Sequence, residues 1–351
     1  MIQLIEAKPH YHFVTKMLIG LFNEGELPNV RSIFVEPTYG YVGRIKYNDG
    51  HTHLFRGTNL GVNSIGASEI SKDKGYTKFF LRQLGYQTPE GEIFLMQVYL
   101  EKIKRAQSRK GFKSPQRSAE QALEYVGSTF GYPCYAKPNF GSQGKGIFRC
   151  ETPSDLETAI EEFEKQGLNL FLVEKAVHMP DFRVVVFGNE VISCYQRIPL
   201  QVVGDGTSTI DRLLEEKQKL YFERGREEII NVQDPRILNK LSRHGLGLQN
   251  VLDTGQNFQL LDVSNLSMGG ESEEFTHRIH KNWKKLAIAV TRDMGLRLCG
   301  VDIACMNLEN PQSDYSIFEI NAAPGLDNYA SSGKEQFERV KRLYKKVFNE
   351  L

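Results

Sequence analysis

The sequence predicts an α+β fold in two or three lobes, and three observations carry that expectation. The 351 residues are enough to bury a sizeable core. Short apolar runs punctuated by turn residues alternate with amphipathic stretches, which interleaves strands and helices along the chain. Near the C-terminus, Gly300-Val301-Asp302-Ile303 and Phe318-Glu319-Ile320-Asn321 read as strands around a polar segment with Pro311 that suits a hairpin turn.

Composition narrows the class. A net charge of +1 offers no global attraction to nucleic acid or to a membrane surface. The five cysteines contain no CxxC pair, which fits reduced, buried thiols better than a disulfide frame or a zinc site. Glu6, Lys8, His10, His12 and Lys16 interrupt the N-terminal apolar residues, so no signal peptide is read there. No run approaches the ~18 apolar residues of a spanning helix. A cytoplasmic protein is expected, without nucleic-acid or membrane partners.

Residues 1–66 read as a small, strand-rich lobe, with Ser32-Ile33-Phe34-Val35, Tyr41-Val42-Gly43 and the turn Asn48-Asp49-Gly50. His51 and His53 alternate as on a strand, but no third ligand accompanies them, and surface histidines are the plainer reading. Residues 67–117 hold two helices and a basic run. Ser68 is read as the cap of the first helix, and the second spans about Tyr76 to Leu84, stopping at Gly85. Lys102, Lys104, Arg105, Arg109, Lys110, Lys113 and Arg117 follow. A solvated helix and loop accounts for such a run; so does an electrostatic arm for an acidic partner.

Residues 118–177 contain a helix over Ser118 to Phe130, a strand ending at Lys137, and the glycine-rich turn Gly141-Ser142-Gln143-Gly144-Lys145-Gly146. Such a turn lets backbone N–H groups converge on phosphate, although hairpins also use glycine. It is not a Walker loop, since Lys145 is followed by Gly146. An amphipathic helix over Asp155 to Lys165 and a strand ending Glu174-Lys175 complete this part.

Residues 178–351 form the largest part. Asp181 and Arg183 share one face of a strand and Arg197 ends its neighbour; two arginines there suit a phosphate or carboxylate clamp, or surface ion pairs. Thr209 to Lys219 is read as a helix. Asn265-Leu266-Ser267-Met268-Gly269-Gly270 is a small-residue loop suited to receive an anion on its amides. One long helix is expected over about Phe275 to Met294, with His277 and His280 as caps or surface residues, and a last helix over Phe337 to Phe348. Glu319 and Asn321 leave one face of their strand, and pairing with the Asp302 strand would gather three oxygen donors of the kind Mg²⁺ takes. A polar strand end beside solvent would show the same residues.

Read in order, these words resemble the ATP-grasp carboxylate–amine ligases, nearest the ATP-grasp module of cyanophycin synthetase and then bifunctional glutathione synthetase. The likeness rests on Ser71-Lys72-Asp73-Lys74, Lys137-Pro138 with its glycine turn, Arg197-Ile198-Pro199 leading to Val203-Gly204-Asp205-Gly206, the 265–270 loop, Gly300-Val301-Asp302 and Glu319-Ile320-Asn321-Ala322-Ala323-Pro324-Gly325. It implies an ATP-grasp fold, two α+β lobes gripping ATP, behind a small N-terminal lobe. It also implies roles for residues. Lys74 and Lys137 would hold the α- and β-phosphates under a lid of Gly141, Ser142, Gly144 and Gly146. Glu174, Lys175 and Val177 would meet adenine, and Asp181 the ribose. Asp302, Glu319 and Asn321 would bind two Mg²⁺ ions, with Mn²⁺ an alternative. Arg183 and Arg197 would hold the γ-phosphate and then an acyl phosphate, with Asn265, Ser267, Gly269 and Gly270 as a substrate loop.

The implied reaction joins an amino acid or peptide carboxylate to an amine through an acyl phosphate, releasing ADP and phosphate. The chain lacks a Mur-ligase-like continuation, its first 60 or so residues are unmatched, and the basic segment 102–117 looks inserted. A single-site ligase is therefore expected rather than a polymerase. A glutathione-type or peptide-end-modifying ligase, an acceptor docked on the basic segment, and an ATP-binding regulator remain as alternatives; homo-oligomers are common in the family.

Overall fold

The computed structural model describes residues 5–111, 116–141, 144–226 and 229–351. The chain begins with a helix, α1 (Phe13–Asn23), before the three-stranded antiparallel sheet β1 (Val30–Val35), β2 (Val42–Tyr47) and β3 (Thr52–Arg56). The expectation of a strand-rich lobe missed α1, whose Val14, Leu18, Leu21 and Phe22 pack into a core shared with the C-terminal helix. His51 pairs with Asp49 and stacks on Tyr47, while His53 bonds the Leu60 carbonyl at 2.6 Å, so both have local roles.

Two short helices follow, α2 (Ile65–Lys72) and α3 (Lys74–Gln83). Ser64, not Ser68, caps α2 by accepting from the Ala67 amide. Asp73 ends α2 and caps α3 by accepting from the Tyr76 amide at 2.9 Å, so one acidic residue turns the chain between them.

The small lobe carries β4 (Gly91–Leu95), α4 (Gln97–Lys110), α5 (Gln121–Thr129), β5 (Cys134–Pro138), β6 (Phe148–Cys150), α6 (Pro153–Lys165) and β7 (Leu170–Lys175). Its sheet order is β4-β7-β5-β6, all antiparallel, so it takes in residues upstream of 118. Helix α6 starts where the sequence dictates: Thr152 and Asp155 form a capping box and Pro153 occupies the first turn. The β4–β7 contact is close enough that a Cβ on Gly91 would lie 2.4 Å from the Val173 carbonyl.

The large lobe holds β8 (Asp181–Phe187), β9 (Glu190–Ile198), β10 (Gln201–Val203), α7 (Ile210–Glu223), α8 (Pro235–Arg243), β11 (Asn257–Gln259), β12 (Glu271–Glu274), α9 (Lys281–Asp293), β13 (Leu298–Cys305), β14 (Tyr315–Asn321), α10 (Asp327–Ala330) and α11 (Lys334–Asn349). Strands β12-β9-β8-β13-β14 make one antiparallel sheet, while β10 pairs β11 beside α7 and α8 around a separate apolar cluster. The helix expected from Phe275 begins only at Lys281. Residues 271–274 are instead drawn into the sheet against β9, and His280 caps α9.

Strand β13 lies inside the sheet between β8 and β14, and all eight of its residues are buried. One of them is Asp302, fully shielded from solvent. A carboxylate in that position persists only if it is paired.

Candidate active site

The sheets of the small and large lobes enclose a cavity of about 530 Å³. Lys137, Glu174 and Lys175 line it from the small lobe, and Asp181, Arg197 and Glu319 from the large one.

Glu174, the residue before the end of β7, has its side chain turned inward and buried. Two lysines meet it there: Lys137, across the β5–β7 ladder, and Lys78 of α3, at 2.6 Å. Lys78 also donates to the Pro89 carbonyl at 3.0 Å. Burial alone would raise the Glu174 carboxyl, but the charges and hydrogen bonds of Lys137 and Lys78 outweigh it and hold it at about 2. Burial also pulls Lys78 below the ordinary lysine value, against the attraction of Glu174. Two ammonium groups share one carboxylate, so this corner carries surplus positive charge.

Lysine 78 escaped the sequence reading, which selected Lys74. The structure turns Lys74 elsewhere: its Nζ donates to the Gly141 carbonyl at 3.1 Å and stands 3.7 Å from Glu319 Oε1. The usable signal was spacing, since Lys74 and Lys78 lie one helical turn apart. Glu174 directs its carboxylate to the lysines and leaves Lys175, Val177 and the backbone between them on the cavity wall.

The opposite wall is an arginine–carboxylate network set by strand register. Asp302 is level with Arg183 on β8 and with Glu319 on β14. Arg183 grips Asp302 through both carboxylate oxygens at 2.7 Å. Arg197 reaches Asp302 and Asp181 at 2.9 Å each, and its Nε is buried with no acceptor among the described residues. Burial would raise Asp302, but Arg183 and then Arg197 keep it below the ordinary range. Asp181 goes the other way: burial raises it, the Asp302 charge adds to that, and Arg197 only partly offsets both. Asp181 also accepts from the Ser264 hydroxyl, so its oxygens are engaged within the protein.

The donor set for a cation is mixed. Glu319 lines the cavity, whereas Asp302 and Asn321, joined by an Asn321 amide N–H donated to Asp302 at 3.3 Å, are not among the residues that line it. Among the described residues, Asp302 Oδ2 receives Arg183, Arg197 and Asn321, whereas Oδ1 receives only Arg183. Among the described residues no three His, Cys, Asp or Glu side chains cluster as a ready metal cage. Two carboxylates and an amide are nonetheless hard oxygen donors of the kind Mg²⁺ takes when phosphate and water supply the rest. By donor type the site fits that ion.

Around the rim, Arg236 of α8 donates to the Gly144 carbonyl at 3.0 Å and ties the glycine turn to the large lobe. Helix α8 was also missed, although Asp234-Pro235 is a helix-start signal. Gly141, Gly144 and Gly146 all adopt positive φ; Ser142 lies outside the described residues, as does Lys113 of the basic segment.

The loop 265–270 departs from its expected use. The amides of Ser267, Met268, Gly269 and Gly270 are all spent within the loop, on Asn265 or Leu266 acceptors. Gly269 closes it with φ +86°, and Tyr221 and Arg226 hold the Gly269, Gly270 and Leu266 carbonyls. What the loop offers the cavity is Asn265, so an anion cradle on those four amides is ruled out here.

Two family models match this chain: a D-ala D-ala ligase C-terminus over residues 106–219 and a RimK-like ATP-grasp domain over residues 255–338. The first range contains Lys137, Glu174, Asp181, Arg183 and Arg197, and the second Asp302, Glu319 and Asn321. The chain belongs to the ATP-grasp superfamily. Cyanophycin synthetase of Trichormus variabilis is 31% identical over 288 residues, 81% of this chain and 29% of that protein. The glutathione biosynthesis bifunctional protein of Mannheimia succiniciproducens is 30% identical over 293 residues, 80% of this chain and 36% of that one. This ATP-grasp chain thus spans about a third of the length of the curated relatives it matches. A solved bifunctional glutathione synthetase from Pasteurella multocida superposes with a TM-score of 0.60 at 22% identity, over 97% of this chain and 44% of that one, which shows the shared fold. No helix among the described residues is long and apolar enough to cross a membrane.

Proposed function

We propose that this ATP-grasp chain is an ATP-dependent carboxylate–amine ligase that forms an amide through an acyl phosphate, releasing ADP and phosphate. The observation that carries the reading is the buried corner beside the cavity where two lysines share one carboxylate. Lys137 and Glu174 line one wall with Lys78 buried behind them on the same carboxylate, and Arg197 on the other wall keeps an Nε with no acceptor among the described residues. A polyphosphate supplies the missing negative charge, and strand exit 175–177 offers backbone to adenine.

In this reading Lys78 and Lys137 hold phosphates, while Lys74 sits where the glycine lid meets Glu319. Magnesium, when bound by Glu319, Asn321 and Oδ1 of Asp302, would neutralise charge on the transferring phosphoryl oxygens. Two ions and substitution by Mn²⁺ belong to the same proposal. Arg183 and Asp302 fix each other, and Arg197 is directed at the developing charge of the acyl phosphate. The Gly141 and Gly144 turn, held by Lys74 and Arg236, excludes water that would hydrolyse that intermediate.

Substrates are a small-molecule or peptide carboxylate and an amine. The exposed basic face of α4, with Lys102, Lys104, Arg105 and Arg109, is proposed to receive an acidic peptide or protein acceptor. The testing experiment is phosphate release from Mg·ATP across pools of amino acids and short peptides, with hydroxylamine in parallel. Pool-dependent release with hydroxamate formation supports the reading. ATP binding without release in any pool, peptides included, turns the assignment to a nucleotide-binding regulator.

A further inference from the structure

Helix α8 belongs to the large lobe, and Asp234 caps it by accepting from the Arg236 amide at 2.9 Å. Ile237 and Leu241 sink into the apolar cluster that β10, β11 and α7 share. Arg236, Lys240 and Arg243 are spaced four and three residues apart, so they form an adjoining stripe on the same helix. Residues 235–243 fall between the stretches that the two family models match.

All three cations of the stripe are engaged, and two of them cross to the small lobe. Arg236 is held by both Asp234 oxygens, at 3.0 and 2.6 Å, and its Nη1 donates to the Gly144 carbonyl at 3.0 Å. Arg243 donates to Asp155 Oδ1 at 2.6 Å. The other oxygen of Asp155 accepts from the Glu151 and Thr152 amides at 2.9 and 3.0 Å, so this one carboxylate both starts α6 and receives α8. Lys240 stays within its own lobe and holds Asp262 Oδ1 at 2.5 Å. Asp262 in turn lines the cavity and meets the small lobe. Its carbonyl accepts from the Tyr135 hydroxyl at 3.4 Å, and Arg149 Nη1 stands 3.9 Å from its carboxylate.

These contacts connect the lobes separately from the covalent crossover at 175–181. They also converge on one part of the small lobe. Gly144 belongs to the turn between β5 and β6, Tyr135 and Arg149 to those two strands, and Asp155 to the helix packed on them. An exposed ion pair by itself contributes little. Mounted on one helix, the set engages together, because making one contact brings the others within reach.

We propose that α8 is a clasp that holds the small lobe closed over the cavity and sets the rate at which nucleotide leaves, with Arg243 as a positioning residue acting through Asp155. That nucleotide occupies the cavity rests on the reading above; the clasp requires its binding but not ligation.

The test is stopped-flow release of a fluorescent ATP analogue, N-methylanthraniloyl-ATP, from the full chain with Mg²⁺, chased with excess ATP, at salt from about 0.05 to about 0.3 M. Arg243→Ala should release the analogue at least roughly fivefold faster than the parent at low salt, and Arg243→Lys, which keeps a cation for Asp155, should recover most of the difference. Lys240→Met, which cuts the Asp262 anchor, should change release in the same direction. Salt should speed release from the parent more steeply than from Arg243→Ala, since screening then has less left to weaken. Unfolding midpoints close to the parent's separate an opened clasp from a lost fold. Parental release rates in Arg243→Ala and Lys240→Met overturn the proposal, as does an Arg243→Lys variant as fast as Arg243→Ala, or a salt response identical in parent and Arg243→Ala. Faster release in a chain that yields no phosphate in any pool leaves the clasp standing and overturns the ligase reading. Pool-dependent phosphate release with parental analogue release in both variants does the reverse.

Discussion

Replacing Glu174 by Gln removes the one carboxylate between two buried lysines while keeping its shape. In the parent protein the carboxyl is held near 2, against 4.5 for an unburied glutamate. That difference corresponds to about 3 kcal/mol of stability, the scale expected when a buried charge loses its partner. The sign follows from the lowered value. The contribution is complete above the unfolded value of 4.5 and is lost as pH falls toward about 2. Urea unfolding of parent and Glu174→Gln at pH 7 should therefore differ by about 3 kcal/mol, and the gap should close as the pH is taken below 4. Because Lys78 and Lys137 lose their common anchor, affinity for ATP should fall as well, measured by calorimetry at a temperature where both proteins are folded. Saturating ATP should recover part of the lost stability, since it brings negative charge back to the lysines. Equal stability at pH 7 with undiminished ATP affinity would refute the argument that this glutamate neutralises a phosphate-binding lysine pair.

Glu319→Gln should leave the unfolding transition near that of the parent, because Glu319 faces the cavity, while turnover collapses and the Mg²⁺ requirement shifts upward; near-parental turnover would mean the cation site is elsewhere. Arg183→Lys cannot keep both 2.7 Å contacts to Asp302, so phosphate release should drop at least roughly tenfold, with secondary structure by circular dichroism unchanged. Lys74→Ala frees the glycine turn from its contact at Gly141, and the expected signature is a raised share of phosphate released without amide formation. Neutralising Lys102, Lys104, Arg105 and Arg109 together should raise KM for an acidic peptide acceptor with little change in kcat, and an unaltered KM would remove α4 from substrate binding.

Much of the scaffold could be read directly from residue order. The amphipathic pattern from Asp155 to Lys165 announces α6, which the Thr152 cap starts two residues earlier at Pro153, and the period-two run around Glu319 and Asn321 announces a strand with both side chains on one face. Both signals are local, and local geometry needs no knowledge of the rest of the chain. The cap of α2 is not at Ser68, as its sequence suggests, but at Ser64, whose hydroxyl accepts from the Ala67 amide. Phe275 to Ile279 continue a helical spacing but follow a strand paired with β9, and the Phe275 amide still bonds the Cys194 carbonyl of β9, so a turn intervenes before α9 starts at Lys281.

Residue order alone pointed to Asp302, Glu319 and Asn321 on paired strands, because a polar turn links the two runs and the side-chain period of a strand is two. It likewise determined that Lys137 would close a strand beside a glycine turn. The packed fold was needed to show that Lys78 joins Lys137 on Glu174, that both oxygens of Asp302 are held by Arg183, and that the amides of Ser267 to Gly270 turn inward. Those outcomes depend on the register of β8 against β13 and on helix α3 docking under β7. Charge pairing across such separations is set by which groups lose their water together. That is a property of the packed interior, absent from any stretch of chain read alone.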